Sequence, residues 1–302
     1  MKLTKLLVGG VLAGLTVIVV AGLFVWSGSG VPSDSDAEPV EQVLGQIKVA
    51  SVSVLPPLCG RDVFCVQKVI EEAPNMVVSS SADWWLASGG RVMGDGTVIN
   101  TLKGKLGGSD RWRKLYARSN PKDTDQGYRP QNVFRLVYRH LYRDYTQQVY
   151  FKVLANNFSD SVYRNETNGV HFFNRYQDAN NLYYTGVRVD GTVAVKKKVN
   201  GRYYTIIETQ IYPGMYTRES KKSLLPVKQW IGIKTKIENL GKGEVSIKVY
   251  LDREHTGEWV LVAAVKDSDG AYGGKVFADP GYTGIRSDFM DVEFQDYAVK
   301  KL

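Results

Sequence analysis

The 302-residue sequence predicts an all-β protein, a two-sheet antiparallel jelly-roll sandwich, preceded by one N-terminal transmembrane helix and a short helical segment. Three observations carry this expectation. Beyond residue 75, short apolar–polar alternations are separated by Gly94-Asp95-Gly96, Asp190-Gly191, Asn200-Gly201, Asn239-Leu240-Gly241 and Asp269-Gly270. Asp-Gly and Asn-Gly between alternating runs mark hairpins, because both central residues must take positive φ. Helical periodicity is scarce over the same stretch, and 18 Tyr, 6 Trp and 30 Gly suit strands and turns.

The N-terminus reads differently. Leu6 to Trp26 is an unbroken apolar run of bilayer-crossing length. Lys2 and Lys5 precede it and no charge follows before Asp34, so the positive-inside rule places the remainder outside the cytoplasm, at the cell surface or in the periplasm. The run is long for the apolar region of a cleaved signal peptide, and no clear small-x-small cleavage site follows it. Gly10 and Gly14 have the spacing that lets two such helices approach closely, which would give weak self-association. The expected organisation is an anchor over 1–27, a polar flexible linker over 28–46, a short helical lead-in over 47–75 and the β-domain over 76–302. Val63, Phe64, Val66, Val69 and Ile70 supply the helical spacing of the lead-in, and Pro74 closes it. Cys59 and Cys65 are the only cysteines; outside the cytoplasm they can form a structural disulfide.

Net charge is +8, and the first 41 residues contribute two lysines against four carboxylates, so the remainder carries +10. A basic domain outside the membrane favours an acidic partner. Each strand can be split into an apolar face and an opposing face. Arg135, Val137 and Arg139 oppose Phe134, Leu136 and Tyr138; Gln148, Tyr150 and Lys152 oppose Val149, Phe151 and Val153. His171, Phe173 and Arg175 oppose Val170 and Phe172, while Trp230, Lys234 and Lys236 oppose Ile231, Ile233 and Ile237. Aromatic rings cover the apolar faces of sugars, and cationic and amide groups reach hydroxyls and carboxylates. If these faces share one surface, Arg135, Arg139, Lys152, His171 and Arg175 form a basic groove lined by Tyr150 and Phe173, with Gln148 and Arg188 as further contacts.

The stretches Asn168-Gly-Val-His171-Phe-Phe-Asn-Arg175, Tyr183-Tyr184-x-x-x-Arg188-x-Asp190-Gly191, Lys196-Lys-Lys198-x-Asn-Gly201-x-Tyr203-Tyr204 and Gly281-x-x-Gly284-Ile-Arg286-x-Asp288 resemble the concanavalin A-like lectin/glucanase superfamily, particularly its laminin-G-like bacterial domains. The resemblance spans roughly residues 80–302 and implies the jelly-roll fold. It leaves activity open, since the superfamily mixes lectins, glycanases and lyases.

Glycanases there use Glu-x-Asp-x-x-Glu; Asp291-x-Glu293-x-x-Asp296 has that spacing with the identities swapped, and lies at the chain end. Lyase-type jelly rolls use an arginine strand, a Gln-x-His strand and a tyrosine, for which Arg135, Arg139, His171 and Tyr150 are the candidates; Gly169 stands where the Gln is expected. His140, His171 and His255 lack zinc-ligand spacing. Asp267, Asp269 and Asp296 are the oxygen donors for a calcium ion, with an ordinary Asx turn as the competing reading. No phosphate loop, nucleophilic-serine motif or dinucleotide fingerprint occurs, and no nucleic-acid partner is expected. Three functions therefore stand: an anchored module for anionic polysaccharide, a polysaccharide lyase acting on a uronate-containing glycan, and an envelope or adhesion module without a glycan site.

Overall fold

Alternating apolar residues joined by tight turns fold the chain into two antiparallel sheets packed face to face. The computed structural model describes residues 69–94, 97–220 and 222–302. The predicted anchor and linker, Gly10 and Gly14, Cys59 and Cys65, and most of the lead-in lie outside these residues. Among the described residues, no helix is long and apolar enough to cross a membrane.

The eight-stranded sheet runs, in spatial order, β1 (Val69–Glu71), β3 (Arg91–Gly94), β4 (Val98–Asn100), β15 (Met290–Lys301), β6 (Tyr145–Asn156), β11 (Trp230–Gly241), β12 (Glu244–Asp252), β13 (Val260–Ser268). The seven-stranded sheet runs β10 (Arg202–Gln210), β9 (Thr192–Val199), β8 (Asn181–Arg188), β7 (Gly169–Asp178), β14 (Gly281–Asp288), β5 (Val133–Tyr142), β2 (Trp84–Ser88). Two late strands, β14 and β15, thus insert at the middle of both sheets, which is jelly-roll connectivity. The architecture is the one the resemblance implies.

The inward faces match the sequence pattern. Phe134, Leu136, Val149, Phe151, Val170, Phe172, Ile231, Ile233, Val245 and Ile247 are fully buried between the sheets. Trp84 packs edge-on against Tyr297, ring centres 4.9 Å apart, and Phe134 of one sheet stacks on Phe294 of the other at 5.8 Å. Such pairs add about 0.5–1.5 kcal/mol each beyond the area they bury.

Three local features depart from expectation. Val69–Glu71, predicted helical, is strand β1 and pairs with β3 through Ile70 and Val92. One helix, α1 (Arg111–Ser119), was not signalled by periodicity: Asp110 caps it by accepting from the Trp112 backbone at 2.8 Å, and only Trp112 and Tyr116 are buried. Their polar ends reach Glu71 and Glu72, both at 2.6 Å, and lock the helix to the end of β1 and the residue after it. The turn expected at Asn239-Leu240-Gly241 lies later, at Lys242-Gly243, both with positive φ (53° and 72°), because β11 continues to Gly241.

Candidate functional site

The outer face of the seven-stranded sheet bears a cleft of about 510 Å³. Register explains its floor. Arg286 of β14 lies opposite Arg135 of β5 on one side and His171 of β7 on the other, and His171 faces Gly186 of β8. One step along, Tyr184 of β8 pairs with Lys196 of β9. Tyr203 of β10 completes the wall, its ring centre 5.8 Å from that of Tyr184. Beyond the cleft the same face turns apolar, where Val137, Phe173, Tyr176, Leu182 and Tyr184 cluster.

The cations of the cleft fall into two classes. Arg286 is held by Asp288, whose oxygens accept from Nε at 2.9 and 3.0 Å, and its Nη1 lies 3.5 Å from the hydroxyls of both Tyr184 and Tyr203. Burial disfavours the Arg286 charge, but Asp288 and the two phenols outweigh it and raise the pKa further. Arg188 is likewise committed, bonding Glu208 and, at 2.5 Å, Asp190. Arg135 and Lys196 differ. Both line the cleft half-buried, and among the described residues no carboxylate forms an ion pair with either.

His171 is buried against Gly186; a Cβ there would stand 2.2 Å from the imidazole Nδ1, so only glycine fits beneath the ring. Burial, then the charges of Arg286, Lys196 and Arg188, hold its pKa well below 6.5, so the imidazole is neutral near pH 7. Burial pushes Tyr184 up to about 12, with Arg286 pulling the other way. For Tyr203, partial burial is outweighed by Arg286 and Lys198, and its phenol falls below the ordinary value. A neutral imidazole, an acidified phenol and half-buried cations in one cleft can accept a proton, donate one and neutralise a carboxylate.

The structure separates the residues predicted to share a groove. Arg135, His171, Phe173 and Arg188 do lie on this face. Arg139 lies further along β5 and is committed to the Ser81 carbonyl at 2.5 Å. Gln148, Tyr150 and Lys152 sit on the outer face of the other sheet, because β5 and β6, joined by only Arg143 and Asp144, belong to different sheets. Tyr150 therefore cannot act beside His171, and its hydroxyl bonds Asp252 at 2.8 Å. Lys152 pairs with Glu293 at 2.5 Å.

Arg175 is the clearest correction. A register irregularity in β7 and a φ of 48° turn it out of the alternation, and its side chain is fully buried. It donates to Asn239 Oδ1 and the Phe277 carbonyl, both at 2.6 Å, and to Asp144 at 3.2 Å.

The three acidic candidates for calcium do not converge. Asp267 is fully buried and forms an ion pair with Lys197 at 2.9 Å. Asp269 accepts from the Val276 backbone at 2.9 Å, and Asp296 lies exposed on β15. Among the described residues no three His, Cys, Asp or Glu side chains gather as a metal site. The glycanase-like spacing breaks up too: Asp291 accepts from Gly104, Gln131 and Asn157 as a structural latch, while Glu293 is neutralised by Lys103 and Lys152.

Sequence reasoning passed over Tyr184, Lys196, Tyr203 and Arg286 as contacts. All four stand within the motifs that carry the superfamily resemblance, at positions pointing to this face.

No family model matches the chain, and no curated protein does. Among solved structures, the chain is similar to carbohydrate-binding module CBM66 from Bacillus subtilis (20% identity over 57% of this chain and 83% of that one, TM-score 0.39). It is also similar to the GH43 protein BlXynB from Bacillus licheniformis (12% identity, 79% of this chain, TM-score 0.42), of which it spans 40%. The exoplasmic/lumenal domain of VIP36, solved with Ca2+ and mannose, matches at 10% identity over 78% of this chain and 90% of that one, TM-score 0.39. The jelly-roll assignment rests on strand order and register, not on these scores.

Proposed function

We propose that this chain binds an anionic polysaccharide along the outer face of the seven-stranded sheet, displayed outside the cell membrane by the apolar segment 6–26. The observation that carries this reading is a pair of cations that form no ion pair among the described residues, Arg135 and Lys196, flanking Arg286, Tyr184 and Tyr203 in one cleft. Burying cations unpaired is unfavourable, and a ligand carboxylate or sulfate supplies the missing partner. β5 and β9 are four strand spacings apart, roughly 19 Å, so one chain contacting both cations has several sugar units. The aromatic side chains suit the apolar faces of those sugars.

The test is calorimetric titration of the full-length protein, kept in detergent, with oligogalacturonate and with a neutral glucan. Acidic ligand should bind and weaken with added salt, as partly exposed charge interactions are screened over about 8 Å at physiological ionic strength. Lys196→Ala should lower affinity with the melting temperature unchanged. Equal binding of neutral and acidic ligands would overturn the anionic preference.

A second reading, a lyase, is favoured by His171 and Tyr203 meeting in the same cleft. There the neutral imidazole would take the C5 proton of a uronate and a phenol would protonate the glycosidic oxygen as the C4–O bond breaks. It requires an unsaturated product absorbing in the ultraviolet, and loss of turnover but not of binding in His171→Ala.

A further inference from the structure

The outer face of the other sheet carries a second set of rings and cations, remote from the cleft. On it Trp230 of β11 lies opposite Lys152 of β6, and Gly232 lies opposite Tyr150. His255 packs on Tyr150 with ring centres 4.3 Å apart, Trp259 on Tyr150 at 5.4 Å, and Trp230 against His255 at 6.1 Å. A Cβ at Gly232 would stand 2.6 Å from the Tyr150 ring and 2.8 Å from Trp259, so glycine makes the notch that lets the rings meet.

This platform is built rather than incidental. Asp252 accepts from the backbones of Glu254 at 3.3 Å, Thr256 at 3.0 Å and Gly257 at 2.6 Å, as well as from Tyr150. It thereby fixes the loop that brings His255 and Trp259 over the sheet. His255 stays exposed and both tryptophans stay half-exposed. Rings fixed in place before a ligand arrives lose little freedom on binding.

The same face carries a charge arrangement with an unmet need. Lys300, Thr146, Lys236 and Lys248 form one continuous row across β15, β6, β11 and β12. Lys236 and Lys248 are direct cross-strand neighbours, a pairing that destabilises a sheet. Only Lys236 has an ion-pair partner among the described residues, Glu238 at 2.9 Å. Lys234, standing 4.0 Å from the centre of the Trp259 ring, links this row to the aromatic platform.

We propose that this face is a second binding surface for the same acidic polysaccharide, with a sugar ring on the platform and carboxylates along the lysine row. It rests on the reading that the cleft's ligand is an anionic glycan. The two surfaces point in opposite directions from a two-layer sandwich, so a short oligomer cannot occupy both and one protein bridges two polymer chains.

Titration of the full-length protein in detergent with short oligogalacturonate should show two sites per chain. Trp259→Ala and, separately, Lys248→Glu should each remove one site, and Lys196→Ala the other. Lys248 lies half-buried on the outward face of β12 opposite Lys236, so its replacement keeps the test alive if Trp259→Ala fails to fold. Wild-type protein should also precipitate long polygalacturonate, and none of the three variants should. A single site abolished by Lys196→Ala alone would overturn this proposal and leave the cleft intact. No acidic binding at all would overturn both.

Discussion

Lys196 and Lys197 are adjacent in sequence, and the pleat of β9 sends them to two regions with opposite requirements. Lys196 reaches the outer cleft, where it forms no ion pair among the described residues and feels Glu208 and Asp190 only at longer range. Lys197 turns into the layer beneath, fully buried, paired at 2.9 Å with an Asp267 that is buried as completely and that also accepts from Tyr183. The arginines repeat the contrast: Arg135 lines the cleft, while Arg175 is consumed bracing a sheet corner. Residue type therefore carries no functional information here until the side it faces is known. Beneath the sheet a cation must be matched on folding; above it, a cation can wait for a ligand.

The sharpest way to break this contrast is to remove the inner charge. Lys197→Met leaves the Asp267 carboxylate buried without its cation, and breaking one side of such a pair typically costs about 3–5 kcal/mol. Chemical denaturation should show a loss of that order, and Lys197→Met/Asp267→Leu should recover much of it, since apolar replacement of both partners removes the uncompensated charge. Glycan binding by the folded fraction should not change. A single variant as stable as wild type would show that the pair does not bear the burial cost assigned to it.

Removing an outer charge should do the reverse. Arg135→Ala takes one charge-assisted contact from the ligand, about 1–3 kcal/mol in binding free energy, and leaves no buried partner stranded. Calorimetry should show weaker affinity for acidic oligosaccharide at an unchanged melting temperature. A fall in stability without a fall in affinity would move Arg135 into the structural class with Arg175.

The sequence disclosed the strands and their inward faces because burial imposes a period of two that survives any arrangement of strands. It did not disclose which outward faces are neighbours. The connection Arg143-Asp144 has hairpin length, yet β5 and β6 do not pair; the chain turns a corner from one sheet to the other. Alternation alone puts Tyr150 beside His171, whereas the whole sandwich separates them. Arg175 was misplaced for a different reason. Alternation holds only while the register does, and a residue at φ 48° breaks it with no glycine to announce the fact. Helix α1 was hidden because only Trp112 and Tyr116 of its residues are buried, too few to print a helical stripe. The cleft itself was half visible, since Tyr184, Lys196, Tyr203 and Arg286 stood in the resembling motifs, but only strand order brings them together.

The subtlest probe of the boundary between the two regions is His171, which belongs to the cleft but is buried like the layer below. Burial and the cations Arg286 and Arg188, from the flanking strands, and Lys196, one strand further away, depress its folded-state pKa well below the unfolded value near 6.5. A histidine so depressed contributes stability that is fully present above the unfolded pKa. As pH falls below about 6.5 the unfolded chain takes up a proton that the folded chain refuses, and stability declines at up to about 1.4 kcal/mol per pH unit. The decline continues until the folded-state pKa is reached. Over roughly pH 7 to 5.5 other groups, among them Glu72 with a pKa raised by burial, are common to wild type and a His171 variant, so the difference between the two isolates His171. Wild-type protein should lose stability over this window, and His171→Gln should lose less, the difference in slope being the contribution of His171. Acidic oligosaccharide should flatten the wild-type slope, because a carboxylate beside Arg286 and Lys196 offsets the cations that keep the imidazole neutral. If the two proteins respond to pH alike, His171 is not held neutral by these charges, and the lyase reading loses its base as well.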